Sequence, residues 1–174
     1  MIEESERQIV LALGSNLPDR DLHLDHAVNG LSRYLNGVRE SRRYETAPQY
    51  EVDQPDFLNS VIAGTTRLPF EEILDHIHQI ERDEGRDRSE AGWMGPRPID
   101  IDILLASESI VTSQTLTIPH PKMKERKFVL LPLLELFPDA VDPTTGRSFW
   151  EFFTTLPNQG IYYRSSDICD IAWP

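Results

Sequence analysis

From Ile99 to Ile103 the chain alternates isoleucine and aspartate, Ile99-Asp100-Ile101-Asp102-Ile103, and this stretch constrains the fold more than any other. Side chains of a strand point alternately to its two faces and rise roughly 3.3 Å per residue. The isoleucines would therefore enter a core while both carboxylates share the other face, about 6 to 7 Å apart. Such a pair can grip hard cations: Mg²⁺ takes oxygen ligands, keeps waters and substrate phosphates, and two ions about 4 Å apart can share two carboxylates in phosphate chemistry. The alternative is an amphipathic strand whose acidic face meets water. Company favours the first reading. Gly95-Pro96 makes a turn beside Arg97, a phosphate partner, and a cationic stretch follows from His120 to Lys127.

At 174 residues the chain fits one domain, 1–174, able to bury about 70% of its unfolded surface. No apolar run approaches the roughly 18 residues of a membrane span, and Met1-Ile-Glu-Glu-Ser lacks the basic and apolar regions of a signal peptide. The expectation is a cytoplasmic protein with no membrane partner. Cys169 is the single cysteine, which permits no internal disulfide and no cysteine cluster for zinc. A net charge of −12 argues against nucleic acid or anionic membranes as partners. It does not forbid a small anion, because Lys122, Lys124, Arg126 and Lys127 reverse the sign locally. Arg82, Arg86 and Arg88, interleaved with Asp83, Glu84 and Asp87, read on their own as a solvated helix end.

Ile9 to Leu13 is a short buried strand closed by the turn Gly14-Ser15-Asn16. Leu24, Ala27, Val28, Leu31 and Leu35 have helical spacing, predicting a helix over 22–35 with Asp21 as N-cap and Asn36-Gly37 as its stop. Val38 to Tyr44 reads as a strand, 46–56 as a loop, and Phe57 to Thr66 as another strand. Pro69 at a first helical turn, Ile73, Leu74, Ile77 and Ile80 at helical spacing, and Gly85 past the end predict a second helix. Residues 86–95 form a loop without apolar anchors. After the Asp strand come a short segment near 116–118, a helical stretch 122–137 interrupted at Pro132, a last short helix at 149–153, and a tail over 156–174. This order predicts an α+β fold, a mixed, mainly antiparallel sheet with helices on one side, best fitted by a split βαβ sandwich.

No Gly-x4-Gly-Lys-Ser/Thr loop, Gly-x-Gly-x-x-Gly turn, His-Glu-x-x-His or Gly-x-Ser-x-Gly is present, which disfavours ordinary phosphate-loop kinases, Rossmann enzymes, zinc hydrolases and serine nucleophiles. Five blocks do occur in order: Gly14-Ser-Asn16; Asp53-Gln-Pro-Asp-Phe-Leu-Asn59; Ile80-Glu81 with Gly85-Arg86; Gly95-Pro-Arg-Pro-Ile-Asp-Ile-Asp102; and Pro119-His-Pro-Lys-Met-Lys-Glu-Arg-Lys-Phe128. Together, over residues 9 to about 138, they resemble the 6-hydroxymethyl-7,8-dihydropterin pyrophosphokinase family of folate biosynthesis.

That resemblance implies a ferredoxin-like sandwich and an enzyme that moves the β,γ-pyrophosphoryl group of ATP onto the pterin hydroxymethyl oxygen, releasing AMP; a monomer is expected. It implies that Asp100 and Asp102 hold two Mg²⁺ ions, and that Arg86 and Arg97 act with them on the triphosphate. ATP would also meet Glu81, Arg88, Ile103, Thr117, His120 and Arg126; Arg88 and Arg126 match residues brought in by loop closure, Ile103 and Thr117 the adenine positions. Thr46, Phe57, Asn59, Asp100 and Phe128 match pterin contacts, the two phenylalanines sandwiching the ring, and either Trp93 or Met94 caps it. Three departures from the family pattern stand out. Met94 follows Trp93 where an aromatic is frequent, His78 replaces a frequent glutamine, and Ala47 and Gln49 stand where proline and an aliphatic are common. Two rival readings are a glycosyltransferase-like enzyme binding a metal and nucleotide sugar through Asp100 and Asp102, and a non-catalytic ferredoxin-like module.

Overall fold

A computed structural model describes residues 5–48, 53–86 and 95–162. Its centre is β1 (Arg7–Ser15), the expected buried run extended at both ends. One edge of β1 pairs with β4 (Phe57–Thr66), from Arg7 opposite Thr66 to Ser15 opposite Leu58. The other edge pairs with β5 (Asp100–Ala106). On the far side of β4 lie β2 (Asn36–Glu40) and β3 (Tyr44–Thr46), and β8 (Ile161–Tyr162) adds to β3. Every described pairing is antiparallel. Helix α1 (Arg20–Leu31) links β1 to β2, and α2 (Phe70–Asp83) links β4 to β5. The chain order β1-α1-β2-β3-β4-α2-β5, laid out in space as β5-β1-β4 with the short β2 and β3 sharing the far edge of β4 as one interrupted strand, is the ferredoxin-like β-α-β-β-α-β arrangement.

Helices cover both faces of this sheet, which corrects the expectation of one helical side. Ile9, Leu11 and Leu13 of β1 and Ile101 and Ile103 of β5 meet Leu24, Ala27 and Leu31 of α1 and Ile73 and Ile77 of α2. Val10, Val61, Ala63, Leu104 and Leu105 point the other way, onto α3 (Lys127–Leu136) and Phe149 of α4 (Phe149–Thr155). Each fully buried Val, Leu, Ile or Phe among these contributes about 1.5 to 3 kcal/mol. Six consecutive residues of α3, Val129 to Leu134, are buried, so no polar stripe in the sequence marks which way the helix faces.

A bulge in β5 shifts the alternation. Ile103 faces Leu11 and Leu105 faces Val10, leaving Leu104 as an extra residue. Before it, even-numbered side chains face α3; after it, odd-numbered ones do, and the Leu104 carbonyl accepts the His120 N–H at 2.9 Å.

Other boundaries also moved. Asp19, in the left-handed region at φ 65°, precedes α1 in place of Asp21, and the chain from Ser32 turns so that Leu35 stays buried outside the helix. Asn36-Gly37 opens β2, with Gly37 at φ 60°. The strand expected over 38–44 breaks after Glu40, where Ser41 Oγ accepts the Val61 N–H at 3.0 Å in place of a backbone carbonyl. The helix expected over 122–137 breaks at Arg126, extended at φ −120°, ψ 99°, after a 3-10 turn (Met123–Glu125); Pro132 sits inside α3. Val111–Thr112 (β6) and Thr117–Ile118 (β7) pair as a separate hairpin, and the Ile118–Pro119 peptide is cis. Strand β8 lies inside the segment read as tail.

Candidate active site

Antiparallel partners project to the same face, so the register sets the floor of the site. Asp100 lies opposite Gly14, Gly14 opposite Asn59, and Asn59 opposite Tyr44; the next row along is Asp102, Ala12 and Val61. Phe57 and Thr46, paired to each other, share that face. Two carboxylates thus stand at one end and an amide and a hydroxyl at the other, with Gly14 bare between them. The bareness is required: a Cβ on Gly14 would stand 2.9 Å from Asn59 Oδ1.

Three arginines surround the carboxylates. Arg86, just past α2, donates from Nη1 to Asp100 Oδ1 and to Glu81 Oε1. Arg97 Nε lies 3.2 Å from Asp100 Oδ2, and Arg126 Nη1 lies 3.8 Å from Asp102 Oδ2. Burial and the neighbouring Asp100 charge push the Asp102 carboxyl up to about 6, against the pull of Arg126. Burial opposes the charge of Arg86, but Asp100 and Glu81 outweigh it and raise its pKa. His120 Nδ1 accepts the Lys122 N–H at 3.2 Å, which places the ring proton on Nε2, 3.8 Å from Asp102 Oδ2. Burial and Arg126 lower the His120 pKa to about 4, so near neutral pH the ring is an uncharged donor.

At the other end, Asn59 Nδ2 donates to Thr46 Oγ1 at 2.8 Å. Both residues are almost fully buried. The aromatic rings connect the two ends, since the Arg97 guanidinium lies 5.4 Å from the Phe57 ring centre and that of Arg126 lies 5.8 Å from the Phe128 ring centre.

Of the residues singled out in the sequence, Arg86, Arg97, Asp100, Asp102, His120 and Arg126 thus come together, and Thr46, Phe57 and Asn59 line the same face. Glu81 is buried, and its Oε1 accepts the Ile101 N–H at 3.0 Å. Because β5 is an edge strand, this carboxylate takes the place of a neighbouring strand while holding Arg86. Ile103 projects into the core on the opposite face, and Thr117 lies in the β6–β7 hairpin. Arg88, Trp93 and Met94 lie outside the described residues.

Several residues support the site in roles that the sequence did not assign to them. Asn16 Oδ1 accepts the Arg97 N–H at 2.8 Å and its Nδ2 donates to Gln54 Oε1 at 3.1 Å, tying two loops to the end of β1. Tyr44 donates to Glu135 Oε2 at 2.5 Å, fixing α3 against β3. Buried Asp142 accepts Lys124 Nζ at 2.9 Å and both Thr144 and Thr145, anchoring the 3-10 turn before Arg126. A single polar residue on a distant loop leaves no periodic signal by which to find it.

A face with two adjacent carboxylates, three arginines, a neutral imidazole, a buried amide–hydroxyl pair and two nearby aromatic rings suits metal-assisted chemistry on a polyphosphate beside a flat, hydrogen-bonding ring. Residues 10–138 match the family model described as 7,8-dihydro-6-hydroxymethylpterin-pyrophosphokinase (HPPK). The chain belongs to this family.

Among HPPK relatives, the 2-amino-4-hydroxy-6-hydroxymethyldihydropteridine pyrophosphokinase of Aquifex aeolicus is 35% identical over 144 residues, 83% of this chain and 89% of that protein. The mitochondrial folate synthesis bifunctional protein of Pisum sativum is 40% identical over 152 residues, but those cover 29% of its length. The chain therefore spans under a third of that larger protein. The wild-type Plasmodium falciparum HPPK-DHPS structure with SDX-DHP superposes with a TM-score of 0.71 at 16% identity, over 88% of this chain and 45% of that one, a likeness of fold. The HPPK match begins inside β1 and ends just beyond α3. Asp142, α4 and β8 lie outside it. Among the described residues, no helix is long and apolar enough to cross a membrane.

Proposed function

We propose that this HPPK domain transfers the β,γ-pyrophosphoryl group of ATP to the hydroxymethyl oxygen of 6-hydroxymethyl-7,8-dihydropterin and releases AMP, a step of folate biosynthesis. The observation that carries the reading is the shared face on which Asp100 and Asp102, ringed by Arg86, Arg97 and Arg126, lie beside Asn59 and Thr46.

Asp100 and Asp102 would hold Mg²⁺. Their donors are oxygens only, and Asp102, pushed up to about 6 by burial and by the neighbouring Asp100 charge, carries a repulsion from Asp100 that a divalent cation would relieve. Among the described residues no third His, Cys, Asp or Glu completes a cluster, so phosphate oxygens and water would fill the remaining positions. Bound Mg²⁺ supplies neutralisation of charge on the phosphates and on departing AMP. The pyrophosphoryl acceptor is the pterin alcohol oxygen, which bonds to the β phosphorus as the bond from that phosphorus to the α–β bridging oxygen breaks.

The chain's own residues bind and orient. Arg86 and Arg97, paired with Asp100 in the ligand-free protein, exchange that carboxylate for phosphate oxygens when the nucleotide arrives. His120 donates a neutral Nε2–H and adds no charge of its own. The Thr46 hydroxyl, already accepting from Asn59, keeps its proton to donate, and Asn59 Oδ1 remains an acceptor. Together they suit the alternating donors and acceptors of a pterin edge, with Phe57 and Phe128 offering apolar walls. Positioning and electrostatics carry the rate without a covalent intermediate.

Incubation with ATP, Mg²⁺ and the pterin followed by nucleotide chromatography tests the reading. Pterin-dependent AMP with omission of Mg²⁺ abolishing it is expected; ADP as the main product, or no turnover, would contradict it. Size-exclusion chromatography and cell fractionation test the monomeric state and cytoplasmic location that complete the proposal.

A further inference from the structure

Beyond the HPPK-matched residues, the chain after α4 returns to the site and touches both of its walls. Gln159 Oε1 accepts the Lys127 N–H at 2.7 Å, and Gln159 Nε2 donates to the Glu125 carbonyl at 2.9 Å. These two peptides flank Arg126, the extended joint between the 3-10 turn and α3. The Lys127 N–H is the first of α3, one of those a helix leaves without a carbonyl of its own to bond, and Arg126 provides no side-chain cap. The Gln159 amide takes that role.

The next two residues grip the opposite wall. The Gly160 carbonyl accepts the Ala47 N–H at 3.0 Å, and Ile161 pairs with Thr46 in the β3–β8 ladder. Gly160 makes the turn possible: it sits at φ 64°, a conformation that costs a residue with a side chain, and a Cβ there would stand 3.3 Å from Ala47 Cβ. Three consecutive residues, 159 to 161, thus connect the segment bearing Arg126 and Phe128 with the strand bearing Thr46.

We propose that Gln159 is a positioning residue for the pyrophosphokinase reaction, one that sets the spacing between the Arg126–Phe128 wall and the Thr46–Asn59 wall. The proposal rests on the reading above that these walls take the pterin. A residue acting only as a helix cap would alter stability without altering substrate affinity, so the two roles separate in the kinetics.

The substitution Gln159→Met preserves length and bulk but removes both hydrogen bonds. Amide hydrogen exchange should show the Lys127 N–H losing protection, and KM for the pterin should rise about tenfold, the scale of one or two hydrogen bonds, with kcat within about threefold of wild type. Gln159→Glu keeps the acceptor facing Lys127 and loses only the donor, so its KM should rise by about threefold. If Gln159→Met does not fold, Gln159→Glu carries the test, and an unchanged KM overturns the proposal. Unchanged Lys127 protection in Gln159→Met, or lost protection with a wild-type KM, overturns it as well. Failure of the wild-type protein to use the pterin would instead refute the activity, and it would show as absent turnover while the exchange measurement still read the tie.

Discussion

Replacing Gly14 by alanine should weaken pterin binding by about an order of magnitude. The Cβ would stand 2.9 Å from Asn59 Oδ1, where ordinary contact begins near 3.4 Å, so the amide must withdraw by about half an ångström. Asn59 has little room to do so: it is 7% exposed and held to Thr46 Oγ1 at 2.8 Å. A shift of that size carries the bond toward the weak limit of hydrogen-bond geometry and turns Oδ1 from its direction. Losing most of one buried hydrogen bond costs about 1 to 2 kcal/mol, and each 1.4 kcal/mol is about tenfold in affinity. Gly14 lies in a regular strand outside the positive-φ glycines, so the effect belongs to the Cβ and not to backbone strain. KM for the pterin, KM for ATP and the melting temperature should be measured together, with the pterin value alone moving strongly. Adding Asn59→Ala should then cost little more, because the two changes remove the same contact. A pterin KM within about twofold of wild type would refute the reasoning.

Asp102→Asn should abolish most turnover yet stabilise the ligand-free protein at neutral pH. Its carboxyl is raised to about 6 by burial and Asp100, so the folded state holds the proton more tightly than the unfolded chain does, and ionisation works against folding. The gain from asparagine is therefore full above about pH 6 and fades as pH falls toward the ordinary carboxylate range; thermal melts at pH 8 and pH 4 check it, and a less stable variant at pH 8 would contradict it. Asp142→Ala should destabilise by about 2 to 3 kcal/mol at pH 7. Burial alone would raise the Asp142 carboxyl, but Lys124 and Thr144 overcome it and hold it near about 2, a contribution present above pH 4 and lost as pH falls through 2. Denaturant unfolding at pH 7 reads this, and a loss under about 0.5 kcal/mol would refute the role of the Lys124 pair.

The alternation at 99–103 made β5 and its acidic face legible, because a period of two survives in any local context. The bulge at Leu104 was not, since Ile103-Leu-Leu105 is apolar on whichever face it lies. Spaced motif residues such as Asn59 and His120 were recognisable as a set, but the neutral state of His120 depends on its burial and on Arg126, which only the fold brings near. The side on which α3 packs was hidden by its continuous apolar run. Asp142 reaches Lys124 and Gln159 reaches the Glu125 and Lys127 peptides through side-chain hydrogen bonds across long stretches of sequence, and contacts of that kind have no period to read.

ATP labelled at its β phosphorus tests the transfer most directly. With Mg²⁺ and the pterin, attack at the β phosphorus carries the label off the nucleotide and into the pterin product while AMP emerges unlabelled. A label that stays with the nucleotide as ADP would mean attack at the γ phosphorus or simple hydrolysis, and would contradict the function proposed for this face of the sheet.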